Sequence, residues 1–241
     1  MSGLVKVRLI AEGSTKRDRK TLRWGISFLV GNVLFDAFGR EDIFRENVSR
    51  FKIDLSRVKH VVISHEDWDH IAGLGDFLRS HPKTRVYVCK KSGNALKDLI
   101  RSNAGLLVEV EKPQKISRNI FSIGQMRADT GRGILYEQAL VVKSRNGFSV
   151  ITGCAHPGIV RIVRQAVEIF GKRIYAVCGG FHMKDNSREE NLKIITELQA
   201  LGVKKVIPLH CSGLSAVRIF RRFYGKNCIK LQEGGSFSAL K

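Results

Sequence analysis

The 241-residue chain has few of the features that divide a protein into domains or direct it to a membrane. It contains only four prolines and no stretch rich in Pro, Ser or Gly that would form a linker. No segment approaches the roughly 20 apolar residues that a membrane-spanning helix needs. Residues 1–7 lack the sustained apolar core and small-residue cleavage site of a secretory signal. We therefore expect a single domain over residues 1–241, cytoplasmic and without contact with a membrane.

Paired cysteines are also missing from the sequence. The five cysteines are odd in number, form no CxxC pair and lie mostly in apolar, strand-like runs. This pattern favours reduced core thiols over disulfides, because the cysteines of small disulfide-bonded secreted proteins come in even numbers. The five are Cys89, Cys154, Cys178, Cys211 and Cys228.

Acidic residues are scarce, with 22 Asp and Glu against 42 Lys and Arg, which gives a formal net charge of +20. Such a charge attracts polyanions, phosphorylated metabolites or acidic surfaces. The basic residues are scattered, with local clusters at Lys16–Lys20 and residues 218–222, and they do not form a tail with interleaved aromatics. A solvated basic surface is therefore favoured over a dedicated nucleic-acid groove.

The most informative segment is the heptapeptide Ser-His-Glu-Asp-Trp-Asp-His at residues 64–70, which directly follows an apolar run. His65 and Asp67 alternate on what should be an extended segment, so they share one side of it. Asp69 and His70 can turn the other way as the chain bends into a helix, and helical spacing follows over residues 71–79. One loop can therefore supply ligands to two metal ions.

Three further histidines follow apolar, strand-like runs within a few residues. They are His156, His182 and His210. Since each lies at a strand end, we expect them to converge with the heptapeptide at one site. His60, within a strand, and His81, beside a proline, have no partner motif and are interpreted as structural.

The order of elements predicts sheet first and strand–helix units afterwards. Hairpins are expected at residues 26–35, around Gly31-Asn32, and at residues 139–152, around Asn146-Gly147. Ser187 and Glu190 form a capping box for a helix to about residue 201. Residues 101–132 carry no motif and are interpreted as loops. This layout indicates two sheets with helices outside and a metal site at one edge.

The segment from His65 to Leu74 resembles the metallo-beta-lactamase superfamily, whose signature is a strand, His-x-His-x-Asp-His and a helix start. Four further motifs resemble one branch of it, the dihydropterin-ribofuranosylaminobenzene phosphate synthase-like proteins. They lie at residues 137–140, 152–158, 179–182 and 209–213. The resemblance implies an α/β fold, a four-layer αββα sandwich of two mixed sheets with outer helices.

The resemblance also implies two divalent metal ions. One would be bound by His65, Asp67 and His156, and the second by Asp69, His70 and His210. Zinc is favoured, but Asp67 stands where the family commonly has His. Since an anionic oxygen replaces an imidazole, iron or manganese become alternatives.

The roles of the residues around the two metal positions are less directly given by the family pattern. The expected bridging Asp has no clear counterpart, because Cys154 and His182 occupy the plausible places. His182 is interpreted as a polar group that contacts the substrate or leaving group, with a ligand role as the alternative. Together with His182, the candidate metal ligand Asp69 is a candidate catalytic residue. Asp36 is either an acceptor behind a ligand histidine or an ordinary turn residue.

The function expected is a metal-dependent hydrolase in which metal-activated hydroxide attacks a small, phosphorylated substrate. The synthase-like branch implies an alternative, a transferase reaction in which diphosphate leaves a pterin. A nuclease acting on RNA or DNA is a third candidate, but the chain has no evident insertion for the clamp or arm that nuclease branches carry. A non-enzymatic metal or ligand sensor is a further class.

Overall fold

Strands make up much of the fold. A computed structural model of the protein describes residues 5–144, 147–171 and 173–239. The strands are β1 Lys6–Gly13, β2 Gly25–Val30, β3 Val33–Phe35, β4 His60–Val62, β5 Arg85–Cys89, β6 Leu106–Val110, β7 Gln114–Ser117, β8 Ile120–Ser122, β9 Met126–Asp129, β10 Ile134–Glu137, β11 Leu140–Ser144, β12 Gly147–Thr152, β13 Ile174–Gly180, β14 Lys205–Leu209 and β15 Ser236–Ser238. The α-helices are α1 Lys16–Lys20, α2 Glu41–Arg50, α3 Trp68–Ile71, α4 Leu74–Ser80, α5 Asn94–Ser102, α6 Ile159–Phe170, α7 Arg188–Ala200 and α8 Leu214–Tyr224. Short 3₁₀ helices occur at His210–Ser212 and Gly225–Asn227.

The strands of the described ranges form two large sheets and a separate hairpin of β9 and β10. The first sheet has the order β15-β1-β2-β3-β4-β5-β6, and the second has the order β14-β13-β12-β11-β8-β7. Strands β3 to β6 run parallel, as do β12 to β14. The carboxyl ends of parallel strands meet at one edge of a sheet, so the residues that follow β12, β13 and β14 lie together.

The helices cover the outer face of each sheet. On β11, Leu140 and Val142 point into the core between the sheets, whereas Val141 packs with apolar residues of α6, α7 and α8. On the other sheet, Val61 packs with residues of α2, α4 and α5. Because neighbouring strand residues point to opposite faces, both faces of each sheet are apolar and covered. The predicted four-layer αββα arrangement is confirmed.

Two local predictions are confirmed. In the first hairpin Val30 pairs with Val33, and Gly31 adopts a positive φ of 60° in the two-residue turn. At the start of α7 the backbone N–H of Glu190 donates to Ser187 Oγ (3.2 Å), and the Glu190 carboxylate accepts from the Ser187 N–H (2.7 Å). This reciprocal pair is the capping box expected from the sequence.

The interpretation of residues 101–132 as loops is wrong, since β6 to β9 lie there. These strands are three to five residues long. β6 and β7 are edge strands, β8 lies between β7 and β11, and β9 belongs to the separate hairpin. Their sequences mix apolar with polar residues, and one apolar side chain, Leu106, is 48% exposed, which weakens the strand pattern. The second hairpin pairs β11 with β12 as predicted, and Asn146 of its turn lies outside the described residues.

The helix expected over residues 71–79 is divided into α3 and α4. A Cβ atom on Gly73 would lie 2.4 Å from the Ala37 carbonyl oxygen, so only glycine allows this approach of the two backbones. The Ala37 N–H also donates to the His70 carbonyl (2.7 Å). The end of α3 is thereby fixed against the loop that follows β3, which contains Asp36.

The cysteines and the helices agree with two expectations from the sequence. The five cysteines are free, and four of them are buried, as expected for reduced thiols. Across the described ranges, no helix combines the length and the apolar character that crossing a bilayer requires.

Candidate metal centre

The heptapeptide and the three later histidines meet at adjoining edges of the two sheets. His65 follows β4, whereas Asp69 and His70 lie on the short helix α3. His156 follows β12, and His210 begins the 3₁₀ helix directly after β14. In the structure, the histidines at these strand ends therefore converge, as the sequence predicts.

One group of donor atoms contains His65, Asp67 and His156. The Asp67 carboxylate lies 3.4 Å from His65 Nε2 and 3.8 Å from His156 Nε2. The two imidazole rings have centroids 4.7 Å apart. His65 is buried, whereas the Asp67 side chain is 47% exposed, so this group lies at the solvent side of the site.

A second group contains Asp69, His70 and His210, all of them buried. The Asp69 carboxylate lies 3.4 Å from His70 Nε2 and 3.3 Å from His210 Nε2. The His65 and His70 rings, 4.1 Å apart, bring this group next to the first one. The structure thus brings all six candidate ligands together.

Asp36 orients two of the histidines. Its carboxylate contacts His70 Nδ1 at 2.7 Å and accepts from Ser64 Oγ at 2.7 Å and from the Ser64 N–H at 2.7 Å. Ser64 Oγ in turn contacts His65 Nδ1 at 2.8 Å. Because one buried carboxylate fixes both rings through their Nδ1 atoms, the Nε2 atoms point into the cluster. Asp36 is therefore an acceptor behind the ligands, which was one of its two interpretations.

Glu137, at the end of β10, orients His156. Its buried carboxylate accepts from three consecutive backbone N–H groups, those of Cys154 (3.0 Å), Ala155 (2.7 Å) and His156 (2.8 Å). It also contacts His156 Nδ1 at 3.0 Å. Glu137 lies in one of the sequence motifs, but its role could not be predicted because no spacing rule connects it with residues 17 to 19 positions later.

The last two residues of β1 orient His210. His210 Nδ1 contacts the Gly13 carbonyl at 2.7 Å, and the His210 N–H donates to the Glu12 carboxylate at 2.8 Å. The Trp24 ring packs against the imidazole with a centroid distance of 4.7 Å. Glu12 was not predicted, since no motif connects the first strand with the last histidine.

The geometry fits a metal ion. Nε2 of His65 and Nε2 of His210 are buried and have no hydrogen-bond partner among the described residues. Buried polar atoms without a partner are rare. The nitrogen–oxygen separations of 3.3 and 3.4 Å exceed a typical hydrogen bond. They match the spacing of about 3.3 Å between two tetrahedral ligands that are each about 2.0 Å from one zinc ion.

Opposite charges within the cluster shift the pKa values of its residues. Burial acts to raise the pKa of Asp69, but the nearby His70 and His210 imidazoles hold that pKa well below its usual range. Burial acts to lower the pKa of His70, whereas Asp69 and Asp36 raise it well above its ordinary value. Without metal, a protonated His70 therefore pairs with the Asp69 and Asp36 carboxylates, so a metal ion must compete with a proton for this ring.

His182 lies at the solvent side of the site. It is exposed, its ring centroid is 4.4 Å from that of His156, and its backbone has a positive φ of 51°. One of its ring nitrogens also forms a third donor group with Cys154 and Cys211. The exposed position of His182 suits contact with a substrate.

The remaining two histidines have contacts outside the site. His60 contacts the Tyr87 hydroxyl, and His81 stacks on Phe77.

Comparison with known proteins agrees with this geometry. Residues 27–131 match the family model described as the metallo-beta-lactamase superfamily. The chain has the metallo-beta-lactamase fold. A 7,8-dihydropterin-6-methyl-4-(beta-D-ribofuranosyl)-aminobenzene-5'-phosphate synthase of Methanocaldococcus jannaschii is 25% identical, over 87% of this chain and 88% of its own. The resemblance to the superfamily and to its synthase-like branch is thus confirmed.

Solved structures extend the similarity to nearly the whole chain. Tm1679, a metal-dependent hydrolase of the beta-lactamase superfamily, is 28% identical with a TM-score of 0.79, over 98% of this chain and 100% of its own. The metallo-beta-lactamase fold protein YhfI of Bacillus subtilis is 12% identical with a TM-score of 0.70, over 98% and 100% of the two chains. The second similarity concerns the fold alone.

Proposed function

We propose that the protein is a metal-dependent hydrolase that acts on a small, phosphorylated substrate. The observation that carries the proposal is the orientation of four histidines. In each, Nδ1 contacts an oxygen atom outside the cluster, and Nε2 points toward the carboxylates of Asp67 or Asp69. This is the arrangement of metal-binding histidines with supporting acceptors.

Two divalent ions would be held by these residues. The first would be bound by His65, Asp67 and His156, and the second by Asp69, His70 and His210. When bound, such ions supply a water nucleophile of lowered pKa and an electrostatic clamp on an anionic substrate. Zinc suits the imidazole-rich set, and Asp67 keeps iron or manganese as alternatives.

The residues around the ligands keep this set in place and leave one side open. Asp36 and Glu137 hold the imidazole rings, so little reorganisation is needed when metal binds. Asp67 is half-exposed, and His182 is exposed next to His156, which places the open side at these two residues. There His182 can donate a hydrogen bond to the substrate or the leaving group.

Positive charge beside the site supports an anionic substrate. Helix α1, Lys16–Lys20, is basic, and its Arg19 lies over the Trp24 ring with the guanidinium carbon 6.0 Å from the ring centroid. The same ring packs on His210. Arg19 is thus connected to the second ligand group through one side chain, and the net charge of +20 acts in the same direction.

A synthase activity is the second candidate, supported by the similarity to the Methanocaldococcus jannaschii synthase over most of both chains. Its named product carries a phosphate, so a cationic site suits this reaction too. Since the identity is 25%, the similarity does not decide between transferase and hydrolase. We also propose a cytoplasmic location, in agreement with the five free cysteines.

The test begins with metal analysis of protein purified without chelator or affinity metal. We expect two equivalents in the wild type, loss of metal in His65→Ala and no loss in His81→Ala, which removes a histidine outside the site. Turnover of small phosphoesters should exceed turnover of RNA. No metal after reconstitution would overturn the proposal, faster RNA cleavage would favour a nuclease, and pterin transfer without phosphoester hydrolysis would favour the synthase.

A further inference from the structure

The Cys154 thiol lies next to histidines of both ligand groups. Its Sγ atom lies 3.3 Å from His70 Nε2. Donor atoms of Asp69, His70, Cys154 and His210 all lie within 4.8 Å of one another, and so do those of His65, Cys154 and His156. A single buried thiol is therefore within reach of two metal positions.

The backbone fixes the thiol at this point. Ala155 has a positive φ of 63°, an unusual conformation for a residue with a Cβ atom, so the chain bends sharply between Cys154 and His156. The Glu137 carboxylate holds this bend by accepting the N–H groups of all three residues. The donor atoms of Cys154 and His156 lie within 4.8 Å of each other around this bend.

Close packing also restricts the thiol. A Cβ atom on Gly180 would lie 3.2 Å from Cys154 Cα and 2.7 Å from Cys211 Sγ, so the β13 backbone presses against this position. An ordinary core cysteine would be surrounded by apolar side chains, as Cys178 is within the core between the sheets. Cys154 instead contacts an imidazole nitrogen at hydrogen-bonding distance.

We propose that Cys154 is a bridging thiolate ligand that binds both metal ions. The inference rests on the metal centre of the proposed function. On metal binding the thiol proton passes to solvent, and the sulfur forms one bond to each ion. Since thiolate is a soft ligand, Cys154 shifts the site toward zinc or iron and away from manganese, against the preference of the Asp67 carboxylate.

The first measurement is absorption of the cobalt-substituted protein. We expect an intense near-ultraviolet thiolate-to-cobalt charge-transfer band in the wild type, its loss in Cys154→Ser and its retention in Cys178→Ala and Cys211→Ser. A band retained in Cys154→Ser would overturn the proposal, and a band lost only in Cys211→Ser would assign the thiolate to Cys211. Cys154→Asp, which offers a bridging carboxylate, should lose the band and keep two equivalents of metal.

Cadmium NMR separates a bridging thiolate from a terminal one. With two cadmium ions bound, we expect two resonances deshielded by sulfur in the wild type and displacement of both in Cys154→Asp. Displacement of one resonance alone would mean a terminal ligand and overturn the bridge. Failure of the proposed metal centre is recognised separately. A wild type that binds no metal would give neither the cobalt charge-transfer band nor the cadmium resonances. Two bound ions without a sulfur signature would contradict the bridging thiolate alone.

Discussion

The Asp36 carboxylate and the His70 imidazole form a buried pair, with Asp36 Oδ2 2.7 Å from His70 Nδ1. Asp36 also has a positive φ of 57°, a conformation that Asn tolerates better than most other residues. The same carboxylate holds Ser64, which contacts His65. A single acidic residue thus supports one histidine of each ligand group.

Asp36→Asn should weaken metal binding while leaving the backbone in place. The amide keeps the size and the φ preference of Asp36, but it removes the negative charge behind His70. We expect metal affinity to fall by about 10-fold to 100-fold, as is typical for the loss of such a partner. Competition with a chromophoric chelator measures this, with the exposed Asp54→Asn as control. Equal affinities in the two variants would contradict a supporting role for Asp36.

The positions of the histidines could be predicted because they depend on local patterns. Apolar runs identify strands, and parallel strands bring their carboxyl ends to one edge, so His156 and His210 had to lie near each other. The heptapeptide at residues 64–70, which contains His65, supplied the remaining candidate ligands. The hairpin at Gly31 and the capping box at Ser187 were equally local.

The supporting acceptors could not be predicted, because they depend on contacts between distant parts of the chain. Glu137 binds N–H groups 17 to 19 residues later in the sequence, and Glu12 contacts His210 across 198 residues. No spacing rule connects such pairs. The strands within residues 101–132 were missed for a different reason, since they are three to five residues long and mix apolar with polar residues, so they lack a continuous apolar pattern.

Glu137→Gln should destabilise the metal-free protein. The buried carboxylate accepts three backbone N–H groups and contacts His156, so replacing it with an amide leaves donors without a charged acceptor. We expect a loss of about 3 kcal/mol in the free energy of unfolding. Urea unfolding at about pH 7 measures it, with the exposed Glu111→Gln as control.

The same variant should reveal a pH dependence of stability. Burial acts to raise the pKa of Glu137, but the charges of His65 and His156 and the donated hydrogen bonds hold it well below its ordinary value of 4.5. A lowered folded-state pKa stabilises the protein above the unfolded-state pKa, and this stabilisation is lost as pH falls below about 4.5. The difference in unfolding free energy between wild type and Glu137→Gln should therefore shrink on acidification. A constant difference would mean that Glu137 does not ionise in the folded state.

His182→Ala should slow the reaction without releasing metal. The side chain is exposed beside His156. It belongs neither to the ligand group that contains Asp67 nor to the one that contains Asp69. We expect kcat to fall by about 100-fold, as for loss of a proton donor, while metal content stays at the wild-type value. Elemental analysis and steady-state kinetics measure both quantities. If all metal were lost, His182 would be a primary ligand, which was its alternative interpretation.

Arg19→Ala should raise KM for phosphorylated substrates and leave kcat nearly unchanged. Arg19 reaches the site only through the Trp24 ring, so it attracts the substrate without touching the reacting atoms. The KM increase should be about threefold to tenfold at low salt and should decrease as salt screens the charge. Arg57→Ala, in the loop before β4, removes the same charge from another exposed position and serves as control. Equal KM values for Arg19→Ala and Arg57→Ala would mean that net charge, rather than the position of Arg19, attracts the substrate.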